Sequence, residues 1–427
     1  MLDMKFIREN PEAVRRGIHL KGEKDNLDDL LDIDQRRRAA IEEGDALKSR
    51  RNVLSKEIAQ KVKAGGDVES LKEESRTIGE RIAALDDERR TIEEQLQTLA
   101  LTIPNLPHSS VPEGKDSEDN KFVRDSGAKP DFDFAPKNHI ELGESLGILD
   151  FPRASKIAGS GFPLYVGAGA TLERALINFM LDEHLAEGRF KEVMTPFVAT
   201  SEAMRGTAQL PKLADDMYYC SEDDLYLIPT AEVPITNIHR GEILTEARLP
   251  LYYCGYSPCF RREAGSYGKE TRGFLRVHQF NKVEMVKFVL PETSYDELES
   301  LLNSATQILD KLGIAYRVME LCTRDLSFAA AKCYDIETWS PGEEKWLEAS
   351  SCSNFVDFQA RRAGIRFRRE ATGKVEFVHT LNGSGLATSR LMVSLMETYQ
   401  TDEGTIRVPD VLKRYTGFGH ITAQGGR

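Results

Sequence analysis

Arginine, glycine and aromatic residues crowd residues 259–280, and these residue types can bind a nucleoside triphosphate. Two apolar flanks enclose the stretch, which predicts a hairpin. In such a hairpin Arg261 and Arg276 could direct guanidinium groups at phosphate oxygens, and Phe280 could offer its ring face to a base. If the stretch stood alone, an exposed charged hairpin without a ligand would be the simpler explanation.

A second segment, residues 381–392, runs from closely spaced glycines into an apolar helix that carries Arg390 on its first turns. Glycines permit a ligand to approach the backbone closely, and an arginine at this position suits a terminal phosphate. A surface or helix-capping arginine is the alternative. The chain has neither a GxGxxG after a strand nor a GxxxxGK[ST], so a nucleotide site here would not use the usual phosphate loops.

The elements that must position these residues differ between the two ends of the chain. Residues 27–101 contain no proline, and the adjacent glycines at 65 and 66 divide them into two halves. Two antiparallel helices of roughly 33 residues would extend about 50 Å. The second half repeats in steps of four and three at Leu71, Ser75, Ile78, Ile82, Leu85, Arg89, Ile92, Leu96 and Leu99. The first half repeats less cleanly at Ile33, Arg37, Ala40, Gly44, Leu47, Arg51, Leu54 and Ile58.

Beyond Pro104 the pattern changes to prolines among serine, aspartate and glycine. A helix is predicted over 170–186, and strands are predicted over 226–229, 274–280 and 283–289. Antiparallel strands mixed with packed helices predict an α+β fold. We expect an N-terminal domain at 1–103, a linker with early loops at 104–138, and a catalytic domain at 139–427.

Composition limits the protein class. The 427 residues include 30% charged and 40% hydrophobic residues, which predicts a soluble globular chain and no membrane association. The formal charge of −12 means that a polyanion would have to meet local basic patches. The first ten residues lack the apolar core of a signal peptide, so we expect a cytoplasmic protein. Six scattered cysteines without a CxxC pair argue against zinc and disulfides.

An ordered set of motifs resembles the class II aminoacyl-tRNA synthetases, and more narrowly the bacterial seryl-tRNA synthetases. The motifs are GRFKEVMTP (188–196), TAE (230–232), FRREAGS (260–266), TRG (271–273), RVHQF (276–280), EASSCSN (348–354), FQARR (358–362) and HTLNGSG (379–385). The resemblance covers essentially the whole chain. Three departures are Ala208 in TAQL (207–210), where the family has TGQL, Ala349 in place of a branched apolar residue, and Asn281 where Asp is common.

The resemblance implies activation of L-serine with ATP and transfer of the seryl group to the 3′-terminal adenosine of tRNA(Ser), with tRNA(Sec) as a conceivable further substrate. It implies a catalytic domain built on an antiparallel sheet flanked by helices, and a coiled-coil arm that binds tRNA. It further implies a homodimer formed around 188–196, and Mg²⁺ as the metal without zinc.

The resemblance also assigns site residues. Arg261 would bridge the serine carboxylate and the α-phosphate, and Arg390 would hold the γ-phosphate and stack on adenine opposite Phe280. Serine would be bound by Thr230, Ala231, Glu232, Glu284, Asn382 and Ser384. ATP would be bound by Arg261, Arg262, Glu263, Arg276, Val277, Phe280, Glu348, Ala349, Ser350, Ser351 and Arg390. The metal would be held by Glu348 and Ser351. Glu232 would accept the ammonium group, and Glu284 the hydroxyl.

Two other functions deserve comparison. An amino-acid ligase that charges a carrier protein would lack the long arm, which this chain has. A catalytically silent, dimeric coiled-coil RNA-binding scaffold would have no reason to keep Arg261, Glu263, Glu348 and Arg390 together. The sequence therefore favours the synthetase.

Overall fold

The computed structural model describes residues 1–264 and 273–426, and it divides into two compact units, Met1–Pro104 and Asn105–Arg427. The first unit is helical. Its helices are α1 (Met4–Glu9), α2 (Pro11–Leu20), α3 (Leu27–Lys63) and α4 (Glu69–Ala100). The two long helices end and begin beside the paired glycines, so the predicted helical hairpin is confirmed.

The hairpin is stabilised by a narrow apolar seam between α3 and α4. Leu54 packs with Ile78 and Ile82 along the seam, and all three side chains are buried. Arg51, at a predicted seam position, is exposed, because burying a charged guanidinium group in an apolar seam would cost its hydration free energy. A second cluster closes the base of the hairpin with Ile7, Val14, Ile18, Leu27, Leu30, Ala100 and Ile103.

Basic residues of α3 fall into two groups. The first group forms ion pairs within the unit: the buried carboxylate of Asp34 accepts from Arg37 and Arg38 of α3, and also from Arg8 of α1, at 2.9–3.1 Å. Burial raises the pKa of Asp34, but the hydrogen bond from Arg37 and the charge of Arg8 outweigh it and leave this pKa below its usual value. Lys48 and Arg50 likewise pair with Asp86 and Glu74 of α4. Within the described chain, no ion pair is formed by Arg36, Arg51, Lys56, Lys61 and Lys63.

The second unit combines helices with antiparallel sheets. Its helices are α5 (His139–Ser145), α6 (Phe151–Ala158), α7 (Ala168–Ala186), α8 (Ser201–Gly206), α9 (Glu232–Asn237), α10 (Ser294–Leu312), α11 (Phe358–Ala363), α12 (Thr388–Thr398) and α13 (Asp410–Thr416). Its strands are β1 (Lys121–Ser126), β2 (Lys191–Glu192), β3 (Val198–Thr200), β4 (Tyr219–Cys220), β5 (Leu225–Leu227), β6 (Ile243–Thr245), β7 (Leu251–Phe260), β8 (Gln279–Val289), β9 (Tyr316–Glu320), β10 (Lys332–Ser340), β11 (Lys345–Asn354), β12 (Arg366–Arg368), β13 (Val375–Phe377), β14 (His379–Ala387), β15 (Ile406–Arg407), β16 (His420–Thr422) and β17 (Gly425–Gly426).

Eight of these strands form one sheet in the order β1-β9-β10-β11-β14-β8-β7-β2. Neighbouring strands run antiparallel except β2, which lies parallel to β7 at the edge. Helices α7, α10 and α12 contribute side chains to the main hydrophobic core, which packs on the sheet. The predicted α+β fold is confirmed, and β7, β8, β11 and β14 lie side by side, where they can present polar groups to one site.

Two expectations from the sequence need correction. Residues 274–280 are not a strand of their own: β8 begins at Gln279 and continues through the predicted strand 283–289. Phe274 is fully buried, so the apolar character of this stretch comes from packing in the core, not from strand pairing. Residues 104–138 are also more than a linker, since β1 lies within them and pairs with β9 at the sheet edge.

Within the described ranges, no helix is both long and apolar enough to cross a membrane. All six cysteines are free.

Candidate active site

Strands β7 and β8 pair from Leu251↔Phe288 to Phe260↔Gln279, and they bring the two ends of the arginine-rich stretch together. The Arg261 guanidinium lies 5.1 Å from the centre of the Phe280 ring, and its Nε donates to the carbonyl oxygen of Pro229 at 3.4 Å. Arg276 Nη1 donates to Glu263 Oε2 at 2.7 Å. The structure therefore brings the predicted phosphate-binding and base-binding residues to one end of this strand pair.

Arg390 lies on the first turn of α12 and reaches back to the sheet. Its Nη1 donates to the carbonyl oxygen of Glu348 at 2.7 Å and lies 3.2 Å from Glu348 Oε2. Its Nε donates to the carbonyl oxygen of Leu275 at 3.3 Å. The guanidinium is thus held between β11 and the residues that lead into β8, close to two other predicted ATP-binding groups.

Two buried carboxylates, Glu232 and Glu284, form a pocket near Arg261. The amide nitrogen of Asn382 donates to Glu232 Oε2 at 3.1 Å and to Glu284 Oε1 at 2.9 Å. Thr230 Oγ1 donates to Glu284 Oε2 at 3.2 Å and accepts from the backbone nitrogen of Glu232 at 3.2 Å. The structure therefore brings together four of the six predicted serine-binding residues through direct hydrogen bonds.

The electrostatics of this pair are unusual for carboxylates. Burial and, to a smaller extent, the charge of Glu284 raise the pKa of Glu232 to about 7, although hydrogen bonding from Gln359 and the charge of Lys282 lower it. A cationic group of a ligand placed beside Glu232 would restore its ionised form, because an opposite charge favours ionisation. The pocket is thus suited to a small molecule that carries an ammonium group.

Sequence reasoning missed two polar residues of this pocket. Lys282 Nζ contacts Glu284 Oε2 and donates to Thr230 Oγ1 at 2.8 Å, and the side chain is almost fully buried. Gln359 Nε2 donates to Glu232 Oε1 at 2.6 Å, while its Oε1 accepts from Thr380. Lys282 lies two residues before Glu284 on β8, so strand alternation could have revealed it. No sequence pattern connects Gln359 with Glu232.

The remaining predicted site residues differ in what they contact. Ser350 Oγ donates to the carbonyl oxygen of Ser384 at 2.6 Å, which links β11 to β14. The Arg262 guanidinium lies 5.6 Å from the Tyr218 ring centre. Ala231 and Val277 are buried in hydrophobic clusters, so only their main chains could contact a ligand. The motif residues Gly265, Ser266, Thr271 and Arg272 lie outside the described residues.

The proposed metal ligands share one face of β11 because of a bulge. Glu348 pairs with Glu337 and Ser351 with Asp335, two positions apart on β10, although they are three apart on β11. Ala349 supplies the extra residue and is buried, which explains why this position holds an apolar side chain. The oxygen donors Glu348 and Ser351 fit Mg²⁺, a hard cation. Asp335 lies beside them, and burial together with the charge of Glu348 raises its pKa well above normal.

A buried histidine anchors the residues that lead into β8. Phe274 donates its backbone N–H to His139 Nε2 at 3.1 Å, so the ring proton lies on Nδ1, which donates to Glu397 Oε1 at 3.1 Å. Gly273 has φ +64°, and a Cβ there would meet His139 Nε2. His139, Glu397 and Glu343 come close enough to hold a metal, but both ring nitrogens of His139 already have protein partners.

Of the two other departures from the family motifs, Ala208 takes φ +67°, a left-handed conformation that favours glycine. An alanine there costs about 1 kcal/mol relative to glycine. Asn281 donates from Nδ2 to Glu173 Oε1 at 2.7 Å and accepts from Tyr256 at 3.0 Å.

An antiparallel sheet with one arginine directly after β7 and another on the adjoining helix α12, near a pocket of buried carboxylates, is typical of a class II aminoacyl-tRNA synthetase. The family model "tRNA synthetase class II core domain (G, H, P, S and T)" matches residues 218–399, and the model "Seryl-tRNA synthetase N-terminal domain" matches residues 1–107. The chain belongs to the seryl-tRNA synthetase family.

Individual relatives agree with this assignment. The serine–tRNA ligase of Chloroherpeton thalassium is 59% identical over 98% of this chain and 99% of that protein. The serine–tRNA ligase of Geobacter sulfurreducens is 55% identical over 98% of this chain and 99% of that protein. The crystal structure of seryl-tRNA synthetase from Pyrococcus horikoshii complexed with ATP has a TM-score of 0.94 and 40% identity, covering 99% of each chain.

The contact between Lys282 and Glu284 predicts a large stability effect. Lys282→Met should destabilise the protein by about 3–5 kcal/mol, because it leaves the fully buried Glu284 without its cation. The double variant Lys282→Met/Glu284→Gln should recover much of that loss. Urea unfolding of the full chain at neutral pH measures both.

The control is Lys311→Met, which removes a half-exposed partner of Glu183. This change should cost about 1 kcal/mol or less. Equal losses for Lys282→Met and Lys311→Met, or no recovery in the double variant, would contradict a buried charge pair.

Proposed function

We propose that this chain activates L-serine with ATP and transfers the seryl group to tRNA, as a serine–tRNA ligase. The observation that carries the proposal is the buried pair Glu232 and Glu284, joined by Asn382. Such a pocket fits a small amino acid with an ammonium group and a hydroxyl group. Arg261 and Arg390 lie close enough to the pocket to bind the phosphates of ATP while the amino acid is bound.

In the first step a serine carboxylate oxygen attacks the α-phosphorus of ATP. A bond forms between that oxygen and phosphorus, the bond to the bridging β-phosphate oxygen breaks, and pyrophosphate leaves. Arg261 orients the two anions and offsets their repulsion, and Arg390 holds the γ-phosphate. In the second step a ribose hydroxyl of the terminal adenosine attacks the seryl carbonyl carbon, and AMP leaves.

ATP binding requires Arg261 to move. In the structure its guanidinium lies over Phe280, the ring on which adenine would stack. Adenine and this guanidinium cannot occupy the same ring face. We infer that Arg261 turns towards the phosphates when ATP binds, and that Glu263 accepts the adenine amino protons.

Selectivity for serine follows from the buried hydrogen bonds. Glu232 would accept the ammonium group, and Glu284 the side-chain hydroxyl. Alanine has no hydroxyl and would leave a buried carboxylate without its donor, which costs enough to discriminate by about 10⁴-fold or more. Lys282 and Gln359 would act indirectly, because they hold Glu284 and Glu232 in position.

Mg²⁺ is the metal that the donor set of β11 fits. Glu348 and Ser351 would hold it, with the buried Asp335 as the neighbouring carboxylate. Bound there, Mg²⁺ would neutralise phosphate charge and favour the departure of pyrophosphate.

The amino-acid substrate is tested by ATP–pyrophosphate exchange with each amino acid in turn, followed by aminoacylation of tRNA. Serine alone should support rapid exchange. Arg261→Ala should reduce serine-dependent exchange by about 10²-fold or more, because it removes a charged contact at the reacting centre. The control Arg248→Ala removes an exposed arginine of another segment and should leave exchange unchanged. Exchange with a different amino acid, or near-normal activity of Arg261→Ala, would refute the assignment.

The arm is proposed to bind tRNA through the basic residues of α3 that have no ion pair. Lys56→Glu/Lys61→Glu/Lys63→Glu should weaken tRNA binding and lower its salt dependence by roughly one unit of slope per lost phosphate contact. The matched control, Lys72→Glu/Arg76→Glu/Arg90→Glu, makes the same charge change on exposed positions of α4. Fluorescence titration with tRNA at several salt concentrations measures both.

The control should bind tRNA more tightly than the α3 variant, and serine-dependent exchange should be normal in both. Equal loss of affinity in the two variants would show that only net charge matters.

A homodimer is proposed to form around residues 188–196. The observations that support it are an 86% exposed Met194 and a cavity of about 620 Å³ next to it, lined by Ile177, Leu181 and Tyr256 among others. A second copy would cover this apolar surface. Sedimentation equilibrium should give a dimer at micromolar concentration. Met194→Glu should weaken it, whereas Ile157→Glu, at another exposed apolar residue, should not. A monomer in the wild type would contradict the proposal.

A further inference from the structure

A buried glutamate on α7 joins three elements of the site. Glu173 is 5% exposed, and its Oε1 receives Asn281 Nδ2 at 2.7 Å and lies 2.5 Å from Thr388 Oγ1. Thr388 Oγ1 also lies 3.1 Å from the carbonyl oxygen of Asn281. Helix α7, strand β8 and the start of α12 therefore meet at one carboxyl group.

The number of protons in this cluster determines how the hydrogen bonds run. Thr388 has one hydroxyl proton but lies within hydrogen-bond distance of two oxygens, Glu173 Oε1 and the carbonyl oxygen of Asn281, and each of these two contacts needs a proton of its own. The Asn281 amide supplies no further donor to them, because Tyr256 donates to its oxygen and thereby fixes the amide nitrogen towards Glu173. All contacts are satisfied only if Glu173 carries a proton on Oε1, donates it to Thr388, and Thr388 donates to Asn281.

The surroundings favour the protonated acid. Burial raises the pKa of Glu173 to about 7, although the bonds from Thr388 and Asn281 lower it. Oε2 has no hydrogen-bond partner within the described chain. Among the described residues, the polar groups that face this region are the hydroxyls of Tyr165 and Tyr256 and, around the adjoining cavity, the amide of Asn178 and the charged Arg174 and Glu192.

The two partners of Glu173 adjoin proposed ATP-binding residues. Asn281 directly follows Phe280 on β8, and Thr388 begins α12 two residues before Arg390. A shift of Thr388 relative to Asn281 would therefore change the distance between the base-binding ring and the phosphate-binding guanidinium.

We propose that Glu173, as a carboxylic acid, is a positioning residue for ATP: its proton completes the chain Glu173–Thr388–Asn281 and fixes Arg390 relative to Phe280. This inference rests on the proposed function, since it assumes that these two residues bind ATP. When Glu173 ionises, Thr388 can donate its one proton to only one of two acceptors. The charged carboxylate is the stronger acceptor, so Thr388 donates to Glu173 and the start of α12 loses its hydrogen bond to the carbonyl oxygen of Asn281 on β8. ATP affinity should thus be highest at low pH and fall as pH rises through the pKa of Glu173.

The test is the Michaelis constant for ATP in serine-dependent pyrophosphate exchange, measured from about pH 6 to about pH 9. Exchange by the wild type with serine tests the proposed function by itself. Glu173→Gln cannot ionise, and neither atom of its amide can both accept from Asn281 and donate to Thr388, as the protonated Oε1 does. The ratio of its KM for ATP to that of the wild type should be about 5-fold or more at pH 6 and should approach one at high pH. The ratio cancels the ionisation of ATP itself, which both enzymes share.

Two variants of Thr388, Thr388→Val and Thr388→Ser, provide a second and independent test. Thr388→Val should raise KM for ATP by about 5-fold or more with little change in KM for serine, and Thr388→Ser should restore it. The matched control Thr398→Val makes the same change at the other end of α12, at a residue outside the hydrogen-bonded chain.

A purely structural role would lower the amount of active enzyme, and therefore kcat, without moving KM for ATP. That result in Thr388→Val, or a Glu173→Gln ratio that does not vary with pH, would overturn the inference while leaving the proposed function intact. If the wild type exchanges pyrophosphate with an amino acid other than serine, the proposed function is wrong, although the chain of hydrogen bonds can still be tested with that amino acid.

Discussion

The structure of the site depends on keeping two carboxylates close together away from water. Glu232 and Glu284 repel one another, and burial adds a desolvation cost to each. Asn382 offsets the repulsion by donating a hydrogen bond to each carboxylate. Lys282 neutralises Glu284, and Gln359 donates a hydrogen bond to Glu232. These five residues come from α9, β8, β14 and α11, so the pocket exists only when the central sheet is assembled.

The same requirement explains the rigid connections around the pocket. His139 forms hydrogen bonds to Phe274, just before β8, and to Glu397 of α12. Glu173 forms hydrogen bonds to Asn281 of β8 and to Thr388 at the beginning of α12. Arg390 projects from α12 between these two connections. The helix that carries Arg390, the proposed phosphate-binding arginine, is thus attached near both ends by buried acid groups, each of which makes hydrogen bonds between elements.

Local patterns predicted the features that depend on short stretches of chain. The paired glycines and the seam of α3 and α4 predicted the helical hairpin, because the geometry of a coiled coil is encoded by spacing alone. The prediction of a separate strand at 274–280 was wrong, because burial of Phe274 in a loop gives the same apolar sequence pattern as a paired strand. Apolar residues report burial, and only backbone hydrogen bonds distinguish a strand from a buried loop.

The sequence by itself determined the fold class, the hairpin and, through ordered motifs, the residue types that are proposed to surround ATP and serine. Only the tertiary structure decided how those residues are charged and supported. Glu348 and Ser351 share a face because Ala349 forms a bulge, and Gln359 reaches Glu232 across more than a hundred residues. A side chain's pKa and orientation depend on neighbours that are distant in sequence, and the energy of burying a charge is decided by all of them together.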